Sequence, residues 1–148
     1  MEFNELINDF AARHNVENLV AVDGAAALDI DGIIVTIVAK GDVMTFSADI
    51  GEPPAEGAAA FSELLLEANL QGGASFAKAP DPGPYILVQR FSLVLVDGNA
   101  FDSALEAFVN QTETWRRLLE DFRPVAKASA EKNNAEKPSF GTTGFMQV

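Results

Sequence analysis

The chain has no cysteine, which removes disulfide scaffolds, zinc–thiolate centres and thiol nucleophiles from consideration. It has one histidine, His14, so serine–histidine chemistry would rest on a single ring. Cations are scarce: ten Lys and Arg stand against twenty-two Asp and Glu, giving a net charge of −12 and a pI near 4.3. Such a surface repels nucleic acid and anionic membranes, which are recognised through cations that neutralise phosphate. Long apolar runs are missing too. The longest are strand-length, well short of the roughly eighteen residues of a membrane span. The opening MEFNELINDF is acidic and amphipathic and lacks the basic and apolar regions of a signal peptide, so the chain is expected to be cytoplasmic as made. The glycine patterns of nucleotide loops and of the serine nucleophile elbow are absent.

What is present is ample apolar material. The 148 residues are 48% apolar and 22% charged, ordinary for a folded chain of one domain. Phe3, Leu6, Ile7, Phe10 and Ala11 recur at i, i+3, i+4, i+7 and i+8, which predicts a helix over 2–14 with Asn15 as its stop. From Asn18 to Gly51 the period changes to two. Ala26, Leu28 and Ile30 alternate with Ala27, Asp29 and Asp31, and Asp31-Gly32 marks a hairpin turn. Ile33 to Ala39 is apolar at nearly every position and reads as a strand covered on both faces. After Gly41-Asp42, Met44, Phe46, Ala48 and Ile50 alternate along the third strand of a meander.

The stretch from Phe61 to Phe122 carries more apolar surface than one small core needs. Its first part predicts a helix from about Ala55 to Leu70 with a core stripe of Phe61, Leu64, Leu65 and Ala68, leaving Leu66 and Leu70 on another face. A helix apolar on two faces is buried on two sides, and the second side needs a partner. Ala74 to Lys78 and Tyr85 to Phe91 read as strands joined by the turn PDPGP, with continuation through Leu93 to Val96 left open. Phe101, Leu105, Phe108, Thr112, Trp115, Leu119 and Phe122 form a heptad-like row that favours a sheet-packed helix over a coiled coil. The fold class is therefore α+β: a twisted antiparallel sheet of about five strands with three helices, in the order α-β-β-β-α-β-β-α, within a domain 1–123. Residues 124–148, with three Lys and two Glu, are expected to be a disordered tail. Phe140, Phe145 and Met146 are then a short docking motif or an unstructured end.

Reactive constellations are few. His14 sits where a helix-terminal histidine meets the last carbonyls. Asp29 and Asp31 flank Ile30 beside a turn, which favours solvent exposure over paired-carboxylate catalysis. Their spacing is too short for a calcium loop. Trp115, beside Arg116 and Arg117, fits a core or interface anchor better than a stacking platform. No enzyme, cofactor or metal site is expected.

With FNELINDFAARH (Phe3 to His14), LLLEANL (Leu64 to Leu70), YILVQRF (Tyr85 to Phe91) and AFDSALEAFVNQTETWRRLL (Ala100 to Leu119) in this order, the chain resembles the class I type III secretion chaperones, the Tir-chaperone-like family, over about residues 2–122. The resemblance implies a homodimer that performs no reaction and holds the N-terminal chaperone-binding segment of a secreted effector in extended form. It further implies a dimer interface at Leu66, Leu70, Ile86, Val88 and Arg90, and an effector patch drawing on Phe3, Ile7, Phe10, Ile34, Val38 and Phe46, with the exposed strand face left open. The secretion apparatus is a further candidate partner; nucleic acid and membrane are not. The competing reading is a non-enzymatic α+β scaffold or regulatory domain that binds a folded protein. The tail and the PDPGP turn depart from the family pattern.

Overall fold

The apolar stripe of the first helix, α1 (Phe3–His14), buries Phe3, Leu6, Ile7 and Phe10. Asn15 ends it in the left-handed conformation, its N–H donating to Ala11, a conformation asparagine tolerates better than most residues. These elements belong to a computed structural model that describes residues 2–123; the expectation for the tail 124–148 lies outside the described residues.

Three strands follow as a meander: β1 (Ala25–Ile30), β2 (Ile33–Lys40) and β3 (Val43–Gly51). The second helix, α2 (Ala58–Asn69), leads to β4 (Ser75–Lys78) and β5 (Tyr85–Ser92), and α3 (Gly98–Asp121) closes the described chain. The sheet is antiparallel with spatial order β1-β2-β3-β5-β4, so β1 and β4 are its edges. A short 3₁₀ turn, Leu93–Leu95, stands where the last strand was left open to continue. The Leu93 N–H donates to Asp42 O at 2.8 Å, and that bond ties the turn to the β2–β3 loop.

All three helices use one face of the sheet. Ile33, Val35 and Ile37 of β2, Met44, Phe46, Ala48 and Ile50 of β3, and Tyr85 and Leu87 of β5 point into a core shared with α1 and α3. Phe46 lies at its centre, with Phe91, Phe101 and Phe108 at ring-centroid distances of 4.8, 5.8 and 5.5 Å. The row on α3 is buried at Phe101, Leu105, Phe108, Thr112 and Leu119 and half-buried at Trp115 and the capping Phe122. Its polar member Thr112 is fully buried, and its hydroxyl donates to Phe108 O at 2.8 Å, so no buried donor is orphaned.

One strand differs from expectation. β2 is not covered on both faces: Ile33, Val35 and Ile37 are buried while Ile34, Thr36 and Val38 face outward. With all the helices on one side, strict alternation assigns half of this apolar strand to the surface. Leu64 of α2 also differs, since only Phe61 and Leu65 of that helix are buried.

Candidate functional site

Three uncovered apolar surfaces are candidates for docking. The first is the outer face of the sheet. Ile34 is 57% and Val38 42% exposed, and they share this face with Thr36. Register carries the face across the sheet from Thr36 to Ser47 and from Ser47 to Val88, with Ile86 and Arg90 at the neighbouring outward positions of β5. Arg116 reaches its rim from α3, donating through Nε to Asp49 O at 2.9 Å.

The second surface is α2. Leu66 is 65% and Leu70 86% exposed. Leu66 borders a small apolar groove of about 160 Å³ with Phe76 and Tyr85. Asn69 fixes this helix to the edge strand: its Oδ1 accepts from Phe76 N at 2.7 Å, and its Nδ2 donates to Phe76 O at 3.4 Å. The Tyr85 hydroxyl sits 3.0 Å from Ser62 Oγ on the same helix. Phe61 completes the anchor against Tyr85, Trp115 and Phe122. The helix is therefore held from one side while its leucine ridge is left bare.

The third surface lies at the start of α1. Val94 and Leu95 of the 3₁₀ turn are 70% and 82% exposed. An open groove of about 590 Å³ runs past Phe3, Leu93 and Val94, rimmed by Glu2, Glu5 and Asp42.

The five expected dimer positions fall into two groups. Leu66 and Leu70 are on the helix-covered side, whereas Ile86, Val88 and Arg90 face outward on β5, which pairs with edge strand β4. The six expected effector positions do not form one surface. Ile34 and Val38 are exposed, but Phe3, Ile7, Phe10 and Phe46 are buried and serve to seat α1 and α3 on the sheet. Phe46 shares its side of β3 with Met44, Ala48 and Ile50, as the alternation predicts, and that side is the buried one. Val94 and Leu95 went unnoticed because a short apolar run carries no period that separates a strand from a turn.

His14, Asp29 and Trp115 have structural partners. Asp29 is exposed, and its Oδ1 accepts from Gly32 N at 2.9 Å, closing the hairpin turn. His14 does not meet the last carbonyls of its helix; its Nε2 lies 2.9 Å from Asp102 Oδ2. Arg13 binds the same carboxylate and also donates through Nε to Asp9 Oδ2 at 2.8 Å. Asp102 is thereby held below the usual carboxylate range, chiefly by the hydrogen bond from Arg13, and Arg13 is raised by the same bond. Trp115 packs edge-on against Phe61 and Phe76. Among the described residues, no three His, Asp or Glu side chains are grouped to hold a metal ion, and no helix is long and apolar enough to cross a membrane.

A family model described as the Tir chaperone protein (CesT) family matches residues 5–116. No curated protein matches the chain in sequence. Among solved structures, a chain of the ExsC-ExsE complex superposes with a TM-score of 0.69 at 21% identity, covering 78% of this chain and 92% of that one. A chain of the Yersinia pestis type III secretion chaperone SycH in complex with a stable fragment of YscM2 gives 0.64 at 17% identity, covering 77% and 99%. A chain of the heterodimeric ExoU-SpcU complex from the type III secretion system of Pseudomonas aeruginosa gives 0.61 at 16%, covering 82% and 100%. At these identities the likeness is one of fold.

Proposed function

The chain belongs to the Tir chaperone protein (CesT) family, and from that premise we propose that it is a cytoplasmic, homodimeric type III secretion chaperone. It binds the N-terminal segment of a secreted effector in extended form and keeps that effector soluble and competent for secretion. The observation that carries this reading is the family match over residues 5–116. The bare apolar surfaces supply its physics. An extended client loses conformational entropy on binding, so its partner must spread many contacts over a large area. A sheet with an uncovered face and open edges offers both apolar anchors and backbone pairing that tolerates sequence variation.

The leucine ridge of α2 and the outward positions of β5 take a second copy, through Leu66, Leu70, Ile86, Val88 and Arg90. The client takes the sheet surface around Ile34 and Val38. The family's role is binding rather than catalysis, and no reaction is assigned to this chain. Contact with the secretion apparatus would follow client loading.

Co-expression with the secreted protein encoded nearest to this chain tests the reading. The expected result is a stable complex in which an N-terminal client segment is shielded from protease. An intact dimer that captures no secreted client, or one that captures only a folded partner, would favour the scaffold reading instead.

A further inference from the structure

The sheet ends on β1 at one side and on β4 at the other, and an edge strand offers unpaired N–H and C=O groups to any further strand. At β4 one such position is already filled from within the chain. The Phe76 N–H donates to Asn69 Oδ1 at 2.7 Å, and Asn69 Nδ2 reaches Phe76 O at 3.4 Å. Both backbone groups of Phe76 therefore point away from β5. Alternation turns Ser75 and Ala77 toward β5, where register sets them opposite Val88 and Ile86. Of the four residues in β4, only Phe76 and Lys78 turn their backbone outward, and a lysine on an edge itself discourages pairing.

We propose that Asn69 is a strand mimic that closes the β4 edge to strand addition, whether by a client or by a second copy, and so directs any added strand to β1. Its primary amide carries an acceptor and two donors, the groups that a neighbouring strand would present. The chain reverses after α2 through Gly72 and Gly73, at φ of +83° and +77°, and this reversal brings Phe76 back beside Asn69. The opposite edge has no such plug. Ala25 exchanges both backbone bonds with Val22, at 2.8 and 3.0 Å, so Ala27 and Asp29 also turn their backbone outward. Among the described residues, no hydrogen bond reaches those groups from outside the sheet. A side chain that only ties a turn contributes stability, whereas a plug also decides what the edge can bind. The role is tested without a client, so it stands or falls apart from the chaperone reading.

Amide exchange at Phe76, followed by NMR in the full chain, separates the two roles. In the unmodified protein its protection should not depend on protein concentration, because the bonding partner lies in the same chain. Asn69→Ala, which favours the helix, should speed Phe76 exchange roughly tenfold in dilute solution. In concentrated solution the protection should return as chains associate through intermolecular β structure, read by light scattering and infrared spectroscopy. Ser62→Ala removes a contact between the same helix and the Tyr85 hydroxyl and is the control for a tie away from the edge; it should do neither. Asn69→Asp keeps the acceptor for the Phe76 N–H and should restore protection without association. Where Asn69→Ala does not fold, Asn69→Ser, too short to span both backbone groups, takes its place. Phe76 exchange unchanged by the loss of the amide would overturn the proposal. So would faster exchange with no more association than Ser62→Ala shows, since Asn69 would then only tie the turn.

Discussion

Arg13 and Asp102, 89 positions apart in sequence, meet face to face, with Nη1 and Nη2 of the guanidinium donating to the two carboxylate oxygens. Arg13 Nη2 also lies 3.4 Å from Gly98 O, so one side chain pins the end of α1 to the first turn of α3. That turn is itself capped by Asp97, whose Oδ1 accepts from Ala100 N at 2.8 Å.

This pair gives the fold an acid dependence. Hydrogen bonding from Arg13, helped by His14 and opposed by burial, holds the Asp102 carboxyl below its ordinary value. A carboxyl depressed on folding adds stability that is present above its unfolded value, about 3.9, and lost as pH falls through the folded one. Asp102→Asn should lower stability near neutrality and flatten its decline below about pH 4. Both partners are partly exposed, so screening keeps the effect modest. Urea midpoints measured across that range decide it: parallel profiles for the two proteins would mean the pair contributes nothing. Asp81, depressed by Lys78 on the surface, supplies the control variant Asp81→Asn, which should leave the profile almost unchanged.

Leu66→Glu with Leu70→Glu should leave folding stability within about 0.5 kcal/mol, because both side chains already face solvent. It should abolish the proposed self-association, read by sedimentation velocity. An unmodified chain that sediments as a monodisperse monomer would remove the basis for assigning Leu66, Leu70, Ile86, Val88 and Arg90 to an interface.

Opposite behaviour is expected on the two sides of the sheet. Phe46→Ala removes the ring around which Phe91, Phe101 and Phe108 pack and should cost about 3–5 kcal/mol in urea unfolding. Ile34→Ser should cost less than about 1 kcal/mol and weaken client binding instead. Equal losses of stability would mean that the outer face is structural.

The order of elements was legible because hydrophobic period, turn residues and the row on α3 all agree at the level of single elements. Facing was harder to read. Ile33 to Ala39 has an apolar residue nearly everywhere, and such a strand looks the same whether its second face is covered by helices, by a client or by nothing. Leu64 illustrates the same limit on α2: helical spacing identifies an apolar face, but which part is covered depends on where β4 and Tyr85 lie. The four buried members of the expected client patch, Phe3, Ile7, Phe10 and Phe46, were apolar for the sake of the core. The salt-bridged Arg13 acts across 89 positions, and Asn69 across a seven-residue turn to Phe76; neither contact is encoded in a local hydrophobic period.

Gly51 is a position where a methyl group should be felt. Its φ is +131°, the β3–β5 register shifts between Asp49 and Gly51, and a Cβ there would come within 2.8 Å of Leu119 Cδ2. Gly51→Ala should therefore destabilise the chain by about 1–3 kcal/mol, through backbone conformation and crowding together. A thermal midpoint unchanged by this substitution would show that Leu119 yields freely.

Trp115 is the one indole of the chain, and its ring stands edge-on between Phe61 of α2 and Phe76 of β4, at centroid distances of 6.4 and 4.6 Å. The protein thus carries a built-in optical reporter at the junction of the helix that bears the leucine ridge with its edge strand. Any event that lifts α2 from β4, whether assembly, loading or release, registers in tryptophan emission without a label.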